Sequence, residues 1–89
     1  MKQHNSVVVI PTYNEALSIE KLLPELLALD VDILIVDDSS SDGTVAVAEK
    51  HNSGNRISFI SRPSKLGLGS AYLAGFARCL ELGYDEISQ

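Results

Sequence analysis

Asp32-Ile33-Leu34-Ile35-Val36-Asp37-Asp38-Ser39-Ser40-Ser41-Asp42-Gly43-Thr44 decides the fold of this chain. From Ile33 to Val36 every side chain is apolar and three of the four are β-branched. A strand apolar on both faces belongs in a parallel sheet covered by helices on each side. The polar run that follows is dense in turn and cap residues, so the spacing predicts a strand over Asp32 to Val36, a loop over Asp37 to Thr44, then a helix. Asp42 is placed to cap that helix, and Gly43 to make the turn.

The same alternation extends outward on both sides. Upstream, Val7-Val8-Val9-Ile10 is a second buried-strand run, and Pro11 is predicted to end it because proline cannot donate to a central ladder. Thr12 and Glu15 have capping-box spacing, and Asn14 can cap the helix that follows. Ile19, Leu22, Leu23, Leu26 and Leu27 then recur at helical spacing, with Pro24 predicted to bend that helix. Downstream, Val45, Val47 and Ala48 mark a second helix that fades at His51-Asn52-Ser53-Gly54. Ile57-Ser58-Phe59-Ile60 reads as a third strand, and a third helix runs from about Ser70 to Leu82, stopped by Gly83. Tyr84-Asp85-Glu86-Ile87-Ser88-Gln89 reads as the start of a fourth strand. The order βαβαβα plus a partial strand implies an α/β fold with a parallel sheet and right-handed crossovers.

Composition narrows the function. The 89 residues make one small domain, whose stability margin is thin because little surface is buried at this size. Charged residues are 21% and hydrophobic residues 45%, which argues against disorder. The net charge is −5 and the Lys and Arg residues form no stripe, so nucleic acid is not an expected partner. No apolar run approaches the roughly 18 residues of a membrane span, and residues 1–11 lack the pattern of a signal peptide. Cys79 is the single cysteine, so no intrachain disulfide forms; its small-residue helical setting suits a buried inert thiol, and a cytoplasmic location is expected. His4 and His51 lack neighbours at metal-ligand spacing and read as surface residues.

Ligands of open α/β sheets bind at the carboxyl ends of the strands. Three polar loops fall there: Pro11 to Glu15, Asp37 to Thr44, and Arg62 to Gly69. Asp37 and Asp38 are adjacent carboxylates, expected to repel each other, each with two acceptor oxygens for a base edge or a ribose hydroxyl. The competing reading makes one a helix cap and leaves the other solvated. Tyr13 can stack on a base and Glu15 can accept from a ribose or base, unless packing and the capping box absorb them. Arg62 and Lys65 beside Gly67 and Gly69, at a helix start, suit a pyrophosphate. Gly67-Leu68-Gly69-Ser70-Ala71-Tyr72 begins like a dinucleotide fingerprint, but Tyr72 stands where Gly or Ala is needed and the stretch follows the third strand.

Three strings occur in order: Pro11-Thr12-Tyr13-Asn14-Glu15, Val36-Asp37-Asp38-Ser39-Ser40-Ser41-Asp42-Gly43-Thr44, and Arg62-Pro63-Ser64-Lys65-Leu66-Gly67-Leu68-Gly69-Ser70-Ala71-Tyr72. Together they resemble family 2 glycosyltransferases, and within them the dolichyl- or polyprenyl-phosphate mannose synthases, from about Ser6 to Gln89. The resemblance implies a three-layer nucleotide-diphosphosugar transferase fold (GT-A, Rossmann-like), truncated after the third βα unit. It implies transfer of a hexose, mannose from GDP-mannose, to a polyprenyl phosphate. On this sequence it implies that Pro11, Tyr13 and Glu15 line the nucleotide pocket, that Val36 and Asp38 hold base and ribose with Asp37 beside them, and that Lys65 lies near the diphosphate.

Members of the family carry an Asp-x-Asp motif at the end of the fourth strand for Mg2+ or Mn2+. The resemblance therefore implies metal ligands beyond Gln89, no catalytic residue or metal ligand within the chain, membrane association of the longer enzyme, and inactivity of this stretch alone. The alternative is a non-catalytic nucleotide-binding module. A signalling receiver domain is disfavoured, because receivers place the acidic pair after the first strand and a phosphorylatable Asp after the third. A short parallel sheet with unpaired edges also predicts a homodimer through the fourth-strand edge.

Overall fold

The computed structural model describes residues 2–89. Seven elements follow in order: β1 Ser6–Thr12, α1 Ala16–Leu27, β2 Asp32–Asp38, α2 Thr44–Lys50, β3 Ile57–Arg62, α3 Leu68–Leu82 and β4 Glu86–Ser88. All strand pairings are parallel, and the sheet order is β3-β2-β1-β4. The chain steps outward from β1 through β2 to β3, then returns over the sheet to lay β4 on the other side of β1. That reversal creates a switch point at the carboxyl end of β1.

The doubly apolar strands are explained by two cores. Side chains alternate across a strand. Val7 and Val9 of β1 and Leu34 and Val36 of β2 face α3, where they meet Ala71, Cys79 and Tyr84. Ile33 and Ile35 face the opposite way and pack on Ile19 and Leu23 of α1, Ala48 of α2 and Ile57 of β3. Helices on both sides of one sheet make three layers. Every residue of β2 is buried, which is why its hydrophobic run shows no period-two polarity.

Gly75 lets α3 lie close on the sheet. A Cβ built there would sit 2.4 Å from Val9 Cγ1 and 3.2 Å from Val36 Cγ2, well inside van der Waals contact. Cys79, one turn further on, is fully buried, and burial pushes its thiol pKa up, as expected of an inert cysteine. Gly83 ends α3.

Several boundaries differ from the sequence expectations. Pro11 does not end β1: the strand runs on to Thr12, with Pro11 opposite Val36. Proline is tolerated because β4 pairs only with Ser6 to Val8, so Pro11 has a strand neighbour on the β2 side alone. Pro24, expected to bend α1 and not to end it, lies inside the helix, and Ala28 N–H bonds to the Pro24 carbonyl at 3.2 Å. β2 and β3 each extend two residues further, so Asp37, Asp38 and Arg62 are strand residues. Helix α3 begins at Leu68, which places Gly69 and Ser70 in its first turn.

His4 is not a free surface residue. Its ring Nδ1 lies 2.9 Å from Asp32 Oδ1, and its backbone N–H donates to Asp32 Oδ2 at 3.1 Å. Asp32 is 2% exposed and also accepts from the Tyr84 hydroxyl at 2.6 Å and from Gln3 N–H at 2.7 Å. This cluster staples the segments before β1 and before β4 to the amino end of β2. His51 is half-buried and sits 2.5 Å from Glu20. Among the described residues no helix is long and apolar enough to cross a membrane.

Candidate functional site

A cleft of about 220 Å³ opens at the carboxyl ends of β1 and β2, under the loop from β3 to α3. Of the seven residues expected at a nucleotide site, Pro11, Tyr13, Glu15, Asp38 and Lys65 line it. Thr12, Gly67, Leu68 and Ala71 complete its walls. Val36 and Asp37 do not line it: Val36 is 0% exposed in the core beneath α3, and Asp37 is buried on the other face.

Strand geometry separates the two carboxylates. As consecutive residues of β2 they point to opposite faces of the sheet, so the expected repulsion between Asp37 and Asp38 is replaced by two independent sets of partners. Asp37 serves the α1 and α2 side. Its Oδ1 accepts from Thr12 Oγ1 and from Ser40 Oγ, both at 2.6 Å, and its Oδ2 accepts from Ser40 N–H at 2.9 Å. It thereby ties the end of β1 to the loop after β2.

Asp38 serves the α3 side. Its Oδ1 accepts from Arg62 Nε at 2.6 Å, and its Oδ2 from Arg62 Nη2 at 2.9 Å and Leu66 N–H at 3.1 Å. The Arg62 guanidinium beside Asp38 holds its carboxyl below the usual carboxylate range, and Asp38 in turn raises the guanidinium pKa. Arg62 Nη1 donates to Ser70 Oγ at 2.7 Å and Nη2 to the Gly67 carbonyl at 3.2 Å. Arg62 is therefore not a solvated cation. It organises the loop above the cleft.

The expected capping box is rearranged. Thr12 turns to Asp37, and Asn14, at φ 53°, braces the neighbouring loop instead, accepting from Ser41 N–H at 2.7 Å. Glu15 occupies the cap position of α1 without a side-chain cap bond, and its carboxylate reaches back to Tyr13 N–H at 3.2 Å. The cap comes from a distant segment. Asp42 Oδ2 accepts from Ala16 N–H, the first residue of α1, at 3.0 Å. Asp42 Oδ1 accepts from Thr44 N–H at 3.0 Å and from the Thr44 hydroxyl. Asp42 does not sit at the cap position of α2, which Gly43 holds at φ 87° while making the turn, but from one residue before it Asp42 binds the first N–H of both helices. The Thr44 hydroxyl bond is the first cause, and the Ala16 bond the second, that holds the Asp42 carboxyl below its usual range.

Tyr13 is 41% exposed at the rim, and Lys65 Nζ lies 4.7 Å from its ring centroid. Sequence reasoning missed the pairing of Arg62 with Asp38. The signal was the strand offset: β2 and β3 align Ile33 with Ile57, which carries Asp38 onto Arg62. Among the described residues no group of three His, Cys, Asp or Glu side chains is placed to hold a metal ion.

The sheet order, the two helical layers and the cleft at the switch point define an open α/β domain of the Rossmann-like kind. The chain belongs to glycosyl transferase family 2, whose profile matches residues 7–81. It is 42% identical over 86 residues to a polyprenol monophosphomannose synthase from Mycolicibacterium smegmatis, covering 92% of this chain and 32% of the relative. It is 42% identical over 84 residues to an undecaprenyl-phosphate mannosyltransferase from Micrococcus luteus, covering 91% and 35%. The chain thus spans about a third of the length of these curated relatives. The GT-A fold is shared with a mannosyltransferase from Pyrobaculum calidifontis solved with GDP-Man and Mn2+, at a TM-score of 0.75 and 22% identity, over 88% of this chain and 25% of that one.

Proposed function

We propose that this chain forms the nucleotide-diphosphosugar site of a glycosyltransferase that moves mannose from GDP-mannose to a polyprenyl phosphate such as dolichyl phosphate. The observation that carries the reading is the convergence of Pro11, Tyr13, Glu15, Asp38 and Lys65 in one cleft at the switch point. The names of the mannosyltransferase relatives support the sugar and the lipid class.

In this reading the Tyr13 ring offers an apolar face for the base. Asp38 accepts from the base edge or the ribose, and Glu15 accepts from a hydroxyl at the rim. Lys65 reaches the diphosphate, beside the first turn of α3 where backbone N–H groups favour an anion. Val36 and Asp37 act from behind the wall, Val36 by packing under α3 and Asp37 by holding Thr12 and Ser40. A bound Mg2+ or Mn2+ supplies charge neutralisation of the leaving diphosphate in such chemistry. The described residues do not make a site for it. A cytoplasmic location at a membrane face, and pairing through the exposed edge of β4, belong to the same proposal.

Chemical-shift mapping with GDP-mannose, UDP-glucose and ATP tests the site. GDP-mannose should perturb Tyr13, Glu15 and the 65–68 backbone most strongly. Perturbations confined to other surfaces, or none, contradict it. Retention of nucleotide binding in a longer, metal-supplied protein that transfers no sugar would favour the non-catalytic module instead.

A further inference from the structure

The two groups best placed to receive a nucleotide each already hold a cation, and both cations come from one short segment. Asp38 holds the guanidinium of Arg62 through two bonds, and Tyr13 holds the ammonium of Lys65 against its ring. A guanidinium presents a planar pair of N–H donors to a carboxylate. A guanine edge presents the same kind of pair, and one carboxylate cannot hold two such two-point pairs on the same side of its oxygens at once. An ammonium over the Tyr13 ring covers a face on which a base would stack. The cleft left beneath the loop, about 220 Å³, is also smaller than the roughly 300–1,000 Å³ of small-molecule sites. A base therefore makes a two-point contact with Asp38 and stacks on the covered face of Tyr13 only as Arg62 and Lys65 move away.

The chemistry of a diphosphate supplies the reason for them to move. Both displaced groups are cationic, and Arg62 already touches Ser70 Oγ and the Gly67 carbonyl at the start of α3. A diphosphate at that helix start lies within the reach of both. We infer that Arg62 and Lys65 form an exchangeable strap that occupies the base and ribose positions and transfers to the diphosphate when a nucleotide enters. Arg62 is then a positioning residue: it aims Asp38 until a base arrives, and it ties acceptance of the base to the presence of phosphate. The strap opposes a nucleoside, which must displace it without offering a new anion, and favours a nucleoside diphosphate. The inference rests on the nucleotide reading above.

Calorimetry of guanosine and GDP binding to the wild-type chain and to Arg62→Ala tests it, with circular dichroism confirming the fold. The variant should bind guanosine at least about threefold tighter and GDP about tenfold weaker, the latter corresponding to one charge-assisted contact. Lys65→Met, which leaves the bond between Arg62 and Asp38 in place, should show the same opposite signs at smaller amplitude and serves if Arg62→Ala does not fold. Shifts of the same sign for both ligands, or no shift, overturn the strap while leaving the nucleotide site standing. Failure of the wild-type chain to bind either ligand overturns the nucleotide reading, and the strap with it.

Discussion

Arg62 grips Asp38 through two parallel bonds, Nε to Oδ1 at 2.6 Å and Nη2 to Oδ2 at 2.9 Å, where the register of β2 and β3 sets the two residues side by side. Each side chain is less than a tenth exposed. The pair joins the end of the central sheet to the loop over the cleft, so one contact serves both the fold and the site.

The pH dependence of stability follows from the direction of these shifts. Asp38 is held below its ordinary value chiefly by Arg62. At Asp32 burial pushes the pKa up, but the bonds from Tyr84, His4 and Gln3 outweigh it and the net shift is downward. Depressed carboxylates stabilise the fold above their unfolded pKa, about 3.9, and that contribution is lost as pH falls through the lower folded values. Urea titrations from pH 7 to pH 2 should show stability falling below about pH 5. Asp38→Asn should cost most at neutral pH, with its difference from wild type shrinking at the acid end.

Gly75→Ala should destabilise the chain by about 1–3 kcal/mol, the usual range for overpacking. The added Cβ meets Val9, a β-branched residue of a buried strand with little rotamer freedom. Thermal or urea unfolding measures it. A change within about 0.5 kcal/mol would mean that α3 shifts freely on the sheet.

Tyr84→Phe should cost about 1–2 kcal/mol by removing a buried donor from Asp32. Burial, then Asp32, pushes the Tyr84 pKa well above its ordinary 10, so this contribution is present below pH 10 and declines as pH rises toward the higher folded value. The Tyr84 absorbance in alkaline titration should therefore change only well above pH 10.

Asp42→Ala should loosen the amino ends of α1 and α2 together, because one carboxylate accepts the first N–H of both. Hydrogen exchange should accelerate at Ala16 and Thr44 in the same variant. Faster exchange at Thr44 alone would show that the bond to Ala16 carries no weight.

The element order was legible in the sequence because buried parallel strands and amphipathic helices leave different periodicities. Residues 33–36 and 7–10 could hardly read otherwise. The ends were not legible. Whether Pro11 ends a strand depends on whether a neighbour needs its missing N–H, and that is set by how far β4 extends along β1. The cleft was legible as three polar loops, and five of the seven expected residues meet there. The partners of each polar group were not, because they cross between loops. Asp42 caps a helix 26 residues away, and Asp38 is paired from 24 residues away. Gly75 looked like one small residue among several in α3, and only its approach to Val9 sets it apart.

The central claim is that the cleft binds a nucleotide diphosphate sugar through Asp38. Calorimetric titration of GDP-mannose into the wild-type chain and into Asp38→Asn measures it most directly. Saturable one-site binding to the wild type is expected, weakened about tenfold or more in Asp38→Asn through loss of a charged acceptor. Undetectable binding to the wild type, or equal affinity for the two proteins, would contradict it.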